Sequence, residues 1–218
     1  MVRNLGDENS IFNQFIFELR HSSIQTDPLR FRRNLERIGE IFAYEISKSF
    51  EYKSKEVVTP LGETQIPICT ELPVLATILR AGLPLHQGFL NYFDRAPNAF
   101  ISAYRKHDQN GTFEIELGYS ACPDLENKIL ILTDVMLATG TSIVKAYKEL
   151  HRYGKPKHTH IVSVLASLEG LNYVRRHLPI EEVTLWTGAV DEELTAQSYI
   201  VPGLGDAGDL AYGQKINN

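Results

Sequence analysis

An α/β protein with a central parallel sheet flanked by helices is what this sequence predicts, on three observations. Short, predominantly apolar runs recur at 74–79, 99–104, 129–133, 161–165 and 183–187. Between them lie segments whose apolar residues return at steps of three and four, the helical period. The composition is 43% hydrophobic and 22% charged over 218 residues, enough apolar side chains to build a core. Apolar runs alternating with helical stretches signal crossover connections, which place helices on both faces of a sheet.

Taken in order, the first strong element is a helix opened by Asp27-Pro28, a cap followed by a proline suited to the first turn. Phe31, Leu35, Ile38, Phe42 and Ile46 then line one of its faces. Residues 56–70, interrupted by Pro60, Gly62 and Pro67, read as short extended pieces. The run 74–79 is too continuously apolar for a half-exposed strand and predicts burial on both faces. Helices are expected over 83–93, 142–152 and 168–177, filling the gaps between strands. Between the second and third strands Asn110-Gly111 precedes Thr112-Phe113-Glu114-Ile115-Glu116-Leu117, which alternates with period two. That pattern predicts a projecting antiparallel hairpin, either a lid or an ordinary surface feature. No repeat or low-complexity linker divides the chain, so residues 1–218 read as a single domain.

Charge and cysteines narrow the function classes. With 22 Lys+Arg against 27 Asp+Glu the formal charge is −5, unsuited to coating a nucleic acid. Cys69 and Cys122 have no metal-ligand spacing around them, and no apolar leader or run of about eighteen apolar residues occurs. The expectation is a cytoplasmic protein with neither nucleic-acid nor membrane partners.

In open parallel sheets ligands bind beyond the carboxyl ends of the strands. The strongest such junction runs Thr133-Asp134-Val135-Met136-Leu137-Ala138-Thr139-Gly140-Thr141-Ser142. A buried strand delivers one carboxylate, Asp134, and a loop of small residues then opens a helix. Free amides, hydroxyls and the helix dipole suit a phosphate monoester. Asp134, itself an anion, suits the vicinal hydroxyls of a ribose instead, so the pair describes a ribose 5-phosphate. A plain strand-to-helix turn with a Thr or Ser cap is the alternative. No Lys follows Gly140, which excludes a nucleoside-triphosphate loop. Gly203-Leu204-Gly205-Asp206-Ala207-Gly208 fits the dinucleotide string, but the chain ends too soon afterwards for a second crossover.

Arg80, before Ala81-Gly82, and Arg105, after Tyr104, end two further apolar runs. Each could be a solvated strand end; two at neighbouring ends point to a polyanion site. The stretch from Tyr199 to Asp209 is rich in Gly and Pro and predicts neither helix nor strand. Its exposed peptide groups suit the edge of a flat heterocycle such as the imide of a pyrimidine.

These residues resemble the uracil phosphoribosyltransferase family. Asp134-Val135-Met136-Leu137-Ala138-Thr139-Gly140-Thr141-Ser142 is similar to its phosphoribosyl-diphosphate loop, and Tyr199-Ile200-Val201-Pro202-Gly203-Leu204-Gly205-Asp206-Ala207-Gly208-Asp209 to its uracil segment. Ile78-Leu79-Arg80-Ala81-Gly82, Thr59-Pro60-Leu61 and Phe42-Ala43-Tyr44-Glu45 extend the likeness over most of the chain.

The resemblance implies a type I phosphoribosyltransferase fold and transfer of ribose 5-phosphate from 5-phosphoribosyl 1-diphosphate to N1 of uracil, a step of pyrimidine salvage. It implies that Arg80 and Arg105 hold the diphosphate and that 134–142 hold the ribose and its 5-phosphate. Tyr199, Ile200, Gly205, Asp206 and Ala207 are expected at the uracil, with Asp206 also near the diphosphate. Asp134, Arg105 and Asp206 then stand at the reacting centre. Mg²⁺ is held mainly by substrate, with Asp206 the protein group closest to it. A homodimer or homotetramer and, in some members, a GTP effector complete the expectation. Another base, or a non-catalytic nucleotide-sensing regulator, is the alternative reading. The chain departs from the family pattern at Val135, commonly Pro, at Leu210, commonly basic, and over 106–128.

Overall fold

The computed structural model describes residues 2–107 and 113–215, with the side chains of 105–107 and 113–115 outside that description. The elements run β1 (Val2–Asn4), α1 (Ile11–Arg20), α2 (Pro28–Ser47), β2 (Tyr52–Thr59), β3 (Gly62–Cys69), β4 (Val74–Leu79) and α3 (Gly82–Tyr92). They continue β5 (Asn98–His107), β6 (Phe113–Ala121), β7 (Ile129–Leu137), α4 (Thr141–Leu150), β8 (His158–Ser167), α5 (Leu168–His177) and β9 (Val183–Asp191). A short pair, β10 (Glu193–Leu194) and β11 (Ile200–Val201), precedes α6 (Ala207–Tyr212).

Seven strands form one sheet in the order β1-β9-β8-β7-β4-β5-β6, parallel throughout except for β6 at one edge. The central strands are buried on both faces, as their unbroken apolar sequences demand: β7 begins with five buried residues and β8 keeps nine of its ten buried. On one face Ile131, Val162 and Trp186 meet α1, α2 and α3 through Phe12, Phe42 and Phe89. The Phe12 and Phe42 rings pack edge to face at 5.4 Å. On the other face Leu130, Leu132 and Ile161 pack against Ile143, Ala146 and Leu171 of α4 and α5. Each fully buried aromatic or branched side chain contributes about 2 kcal/mol of transfer free energy.

The helix opened by Asp27 is α2, and Asp27 Oδ1 accepts from the amides of Leu29 and Arg30 at 2.9 and 3.2 Å. A polar cluster joins α1 to α2: Glu18 accepts from Arg30 at 2.8 and 2.9 Å and from Asn34 at 2.7 Å. Arg30 and then Asn34 pull its carboxyl down to about 2.

Four elements differ from the sequence expectation. The extended pieces over 56–70 are one continuous ribbon, with Tyr52 paired to Cys69 and Thr59 to Gly62. Pro67 does not break it, because each strand of a two-stranded ribbon has an outward edge where no N–H is needed. The hairpin after the second strand is β5 paired with β6, and it forms the edge of the sheet. Its expected Asn110-Gly111 turn lies outside the described residues. The N-terminal β1 and α1 carry no strong sequence signal, yet β1 pairs in parallel with β9. The stretch from Tyr199 to Asp209, expected to be neither helix nor strand, contains β11 and the first turn of α6.

Candidate active site

The carboxyl ends of β4, β7 and β9 face the same edge of the parallel sheet, and Arg80 meets the tail there. At β7, burial pushes the Asp134 carboxyl up to about 7, against the amides of Val135 and Met136, which favour its charged form. The Val135 amide donates to Asp134 Oδ1 at 2.7 Å. Val135 itself is fully buried in the core beneath α1–α3, so the family's usual proline is replaced here by a packing side chain.

Beyond β7 the loop reaches α4 through Gly140, whose φ of +79° is left-handed. A side chain there would crowd the Gly170 carbonyl, Val174 and Tyr173 of α5. Thr139 Oγ1 donates to Thr141 Oγ1 at 3.1 Å and accepts from the Thr141 amide at 3.4 Å. Ser167, which sequence reasoning missed, locks the loop from outside. Its buried hydroxyl donates to the Ala138 carbonyl at 2.5 Å and accepts from the Gly170 amide at 2.8 Å, capping α5.

Arg80 follows β4 and reaches across 129 residues of chain to the tail: its Nη2 donates to Asp209 Oδ1 at 3.2 Å. Both partners keep substantial solvent contact, 42% and 30% of the side chain. Gly82 permits the start of α3 because a Cβ there would collide with the Thr77 hydroxyl. Arg105 lies within β5 and its backbone pairs with Ile115; its side chain lies outside the described residues.

The tail forms a helix because Asp206 caps it, accepting from the Asp209 amide at 2.9 Å. Desolvation raises the Asp206 carboxyl, but the Asp209 amide and Lys215 outweigh it and hold the group below its usual range. Lys215 Nζ stands 3.3 Å from Asp206 Oδ2. The small Ala207 and Ala211 let α6 sit on the core, and Arg32 of α2 donates to the Ala211 carbonyl at 2.7 Å. Leu210 also packs against that core, which accounts for an apolar residue at this position.

Before α6, β10 and β11 make a small hairpin, Leu194 opposite Ile200. Ile200 and Leu204 are buried, Tyr199 is exposed, and Gly205 has φ +93° with nothing within 4 Å of where a Cβ would be. Gly205 therefore shows bare backbone to the space beside it. Two more missed residues hold this segment, Asp191 at the end of β9 and Arg20 at the end of α1. Asp191 is the last residue of β9, a carboxylate closing an apolar strand and so a signal legible in principle; Arg20 has none, being 171 residues away.

Two clefts lie elsewhere. One of about 180 Å³ is lined by Val2, Val174 and Leu185, and one of about 340 Å³ by Arg3, Lys157, His158 and Glu71 at the amino end of the strands. The latter's Lys157 and Glu71 pair with each other at 2.5 Å. Among the described residues no group of three or more His, Cys, Asp and Glu could hold a metal ion, and no helix is long and apolar enough to cross a membrane.

A family model described as uracil phosphoribosyltransferase matches residues 11–214. The uracil phosphoribosyltransferase of Porphyromonas gingivalis is 53% identical over 215 residues, 99% of each chain. That of Pyrococcus furiosus is 35% identical over 213 residues, covering 96% of this chain and 89% of the relative. A solved protein of Aquifex aeolicus superposes over 100% of both chains with a TM-score of 0.86 at 30% identity.

Proposed function

This chain belongs to the uracil phosphoribosyltransferase family, and we propose that its strand ends divide the two substrates of that reaction among them. The reaction breaks the bond from C1 of 5-phosphoribosyl 1-diphosphate to the diphosphate oxygen and forms one from C1 to N1 of uracil. UMP and diphosphate leave, and the N1 proton passes to solvent.

In this assignment the amides and hydroxyls of Ala138, Thr139, Gly140, Thr141 and Ser142 take the 5-phosphate, with Met136 and Leu137 leading into the loop. The start of α4 supplies dipole and amides, and the left-handed Gly140 turns them outward. Asp134 takes the ribose hydroxyls. Its carboxyl, displaced to about 7 when nothing faces it, gains donors when the sugar binds and ionises more readily. Positive charge develops at C1 as the diphosphate departs, so an ionised carboxylate beside the ribose favours the transition state.

Arg80 takes the diphosphate by exchanging Asp209 for phosphate. A solvent-exposed ion pair contributes only about 0–1 kcal/mol, so the exchange costs little. Arg105 is assigned to the same diphosphate by the family motif alone. Tyr199, Ile200, Gly205 and Ala207 surround the uracil, whose edge the bare backbone at Gly205 reads.

Hard carboxylate oxygens, the kind of ligand Mg²⁺ takes, are present at Asp206, which could reach an ion brought in by substrate. Asp206 is already engaged by Lys215 and its own helix. When bound through the phosphates, the ion neutralises the leaving group.

A homo-oligomer is part of the proposal, through the β2–β3 ribbon. Both its strands are exposed almost throughout, with Leu61 fully exposed and Val58 74% exposed. An isolated two-stranded ribbon is marginal in water, so a partner surface is its natural support. The exposed free thiol of Cys69 fits a reducing, cytoplasmic setting.

The observation that carries the assignment is the meeting of Arg80 with the Asp206–Asp209 turn at the sheet edge that also bears the Asp134 loop. Incubation with labelled uracil, 5-phosphoribosyl 1-diphosphate and Mg²⁺, with and without GTP, tests it. UMP and diphosphate in equal amounts are expected, and Arg80→Ala is expected to raise KM for the ribosyl diphosphate. An unchanged KM in that variant would contradict the diphosphate assignment.

A further inference from the structure

We infer that Asp191 and Arg20 form a brace that sets the position of the tail segment and thereby the affinity for the base; this rests on the proposed assignment of uracil to that segment. Asp191 is the last residue of β9 and is 8% exposed. Arg20 is the last residue of α1, and its Nη2 donates to both Asp191 oxygens, at 2.9 and 3.0 Å. The Gly203 amide donates to Asp191 Oδ2 at 2.9 Å. One carboxylate thus gathers the sheet, the N-terminal helix and the tail at a single point.

The geometry makes this contact the hinge of the segment. Between Asp191 and Gly203 the chain runs out and back, Glu193 paired with Val201 and Leu194 with Ile200. Asp191 closes the base of that hairpin. Gly203 is fixed from its other side as well: at φ +54° a Cβ there would collide with the Ile200 carbonyl oxygen. Two residues later Gly205 has nothing within 4 Å of a Cβ position; Gly203 fixes the approach to it on one side, and buried Leu204 and the Asp206 cap of α6 fix it on the other. Arg20 and Asp191 are positioning residues, acting on the base through the tail backbone.

The charge matters as well as the shape. Burying a carboxylate demands compensation, and Arg20 together with the Gly203 amide supplies it. An asparagine at 191 keeps an acceptor for the Gly203 amide but loses the charge that orders Arg20. An alanine loses both.

The test is steady-state kinetics on the full chain, varying uracil and 5-phosphoribosyl 1-diphosphate separately, for wild type, Asp191→Asn, Asp191→Ala, Arg20→Gln and Gly205→Ala. KM for uracil is expected to rise roughly tenfold in Asp191→Asn and Arg20→Gln and roughly a hundredfold in Asp191→Ala, the scale that small misplacements of binding groups produce. KM for the ribosyl diphosphate is expected to change less than about twofold. Should Asp191→Ala fail to fold, the other two variants carry the test. An equal rise in both KM values, or no rise for uracil in folded Asp191→Asn, overturns the brace. Gly205→Ala separates the two readings: if it raises KM for uracil while Asp191→Asn does not, the brace alone fails. If Gly205→Ala leaves it unchanged, the assignment of the base to this segment fails.

Discussion

At the scale of single residues, Asp134 joins stability to function. Below about pH 3 its carboxyl is protonated in both folded and unfolded chains and costs nothing. As pH rises towards 7 the unfolded chain gives up this proton while the folded chain, where burial raises the group to about 7, keeps it. The unfolded state then binds fewer protons, so stability falls across that window. Asp134→Asn is therefore expected to raise the unfolding free energy at pH 8 by about 1–3 kcal/mol in urea titrations, with little change at pH 4. The same variant is expected to lose at least about a hundredfold in kcat, and wild-type kcat/KM for the ribosyl diphosphate to rise with pH through about 7. Asp209 provides a second residue-scale expectation. Its carboxylate accepts from Arg80 at 3.2 Å. Asp209→Asn removes the charge that pairs with the guanidinium, leaving the Gly213 carbonyl as an acceptor at 3.5 Å, and is expected to lower KM for the ribosyl diphosphate about two- to fivefold.

At the scale of elements, the loop proposed to take the 5-phosphate is held in shape by α5. Gly140 has no room for a methyl group against Gly170 and Val174, and its φ of +79° adds about 1–2 kcal/mol for any L-side chain. Gly140→Ala is expected to lower the melting temperature by about 5 °C and raise KM for the ribosyl diphosphate, measured by calorimetry and initial rates. How much of this was legible in the sequence follows from range. The strands β4, β7, β8 and β9 and the helices between them were readable, since apolar runs and helical periodicity are local signals. The motif that opens at Asp134 was readable too, but the strand was expected to end at Thr133 and β7 instead runs on through Asp134 to Leu137, so the loop begins at Ala138. The Ser167 hydroxyl on Ala138, the Arg20–Asp191 pair and the Arg80–Asp209 pair were not, because each joins residues far apart in the chain. The ribbon over 52–69 was misjudged because Pro60 and Pro67 look like breakers until it is clear that the strands pair only with each other. The tail helix was hidden by glycines, its capping by Asp206 and its seat on Ala207 and Ala211 being tertiary facts.

At the scale of the whole molecule, a net charge of −5 and an anionic substrate are reconciled by local placement. Arg80 and the amino end of α4 stand at one sheet edge, Arg80 paired there with Asp209, while Lys157 and Glu71 pair at the amino-terminal edge. The β2–β3 ribbon springs from the amino-terminal edge, where the flanking Glu51 and Glu71 line the larger cleft, and carries Val58, Leu61 and Ile66 into solvent. Val58→Asp combined with Ile66→Asp is expected to shift sedimentation towards the monomer while leaving far-ultraviolet circular dichroism unchanged. The account as a whole stands on where the substrate lies, and a crystal structure with UMP bound tests that most directly. The expected result is the 5-phosphate against the amides of 138–142, the ribose hydroxyls within about 3 Å of Asp134 and the uracil edge on the backbone of Ile200, Gly205 and Ala207. A phosphate held by the tail instead, or a base lying away from Gly205, would contradict it.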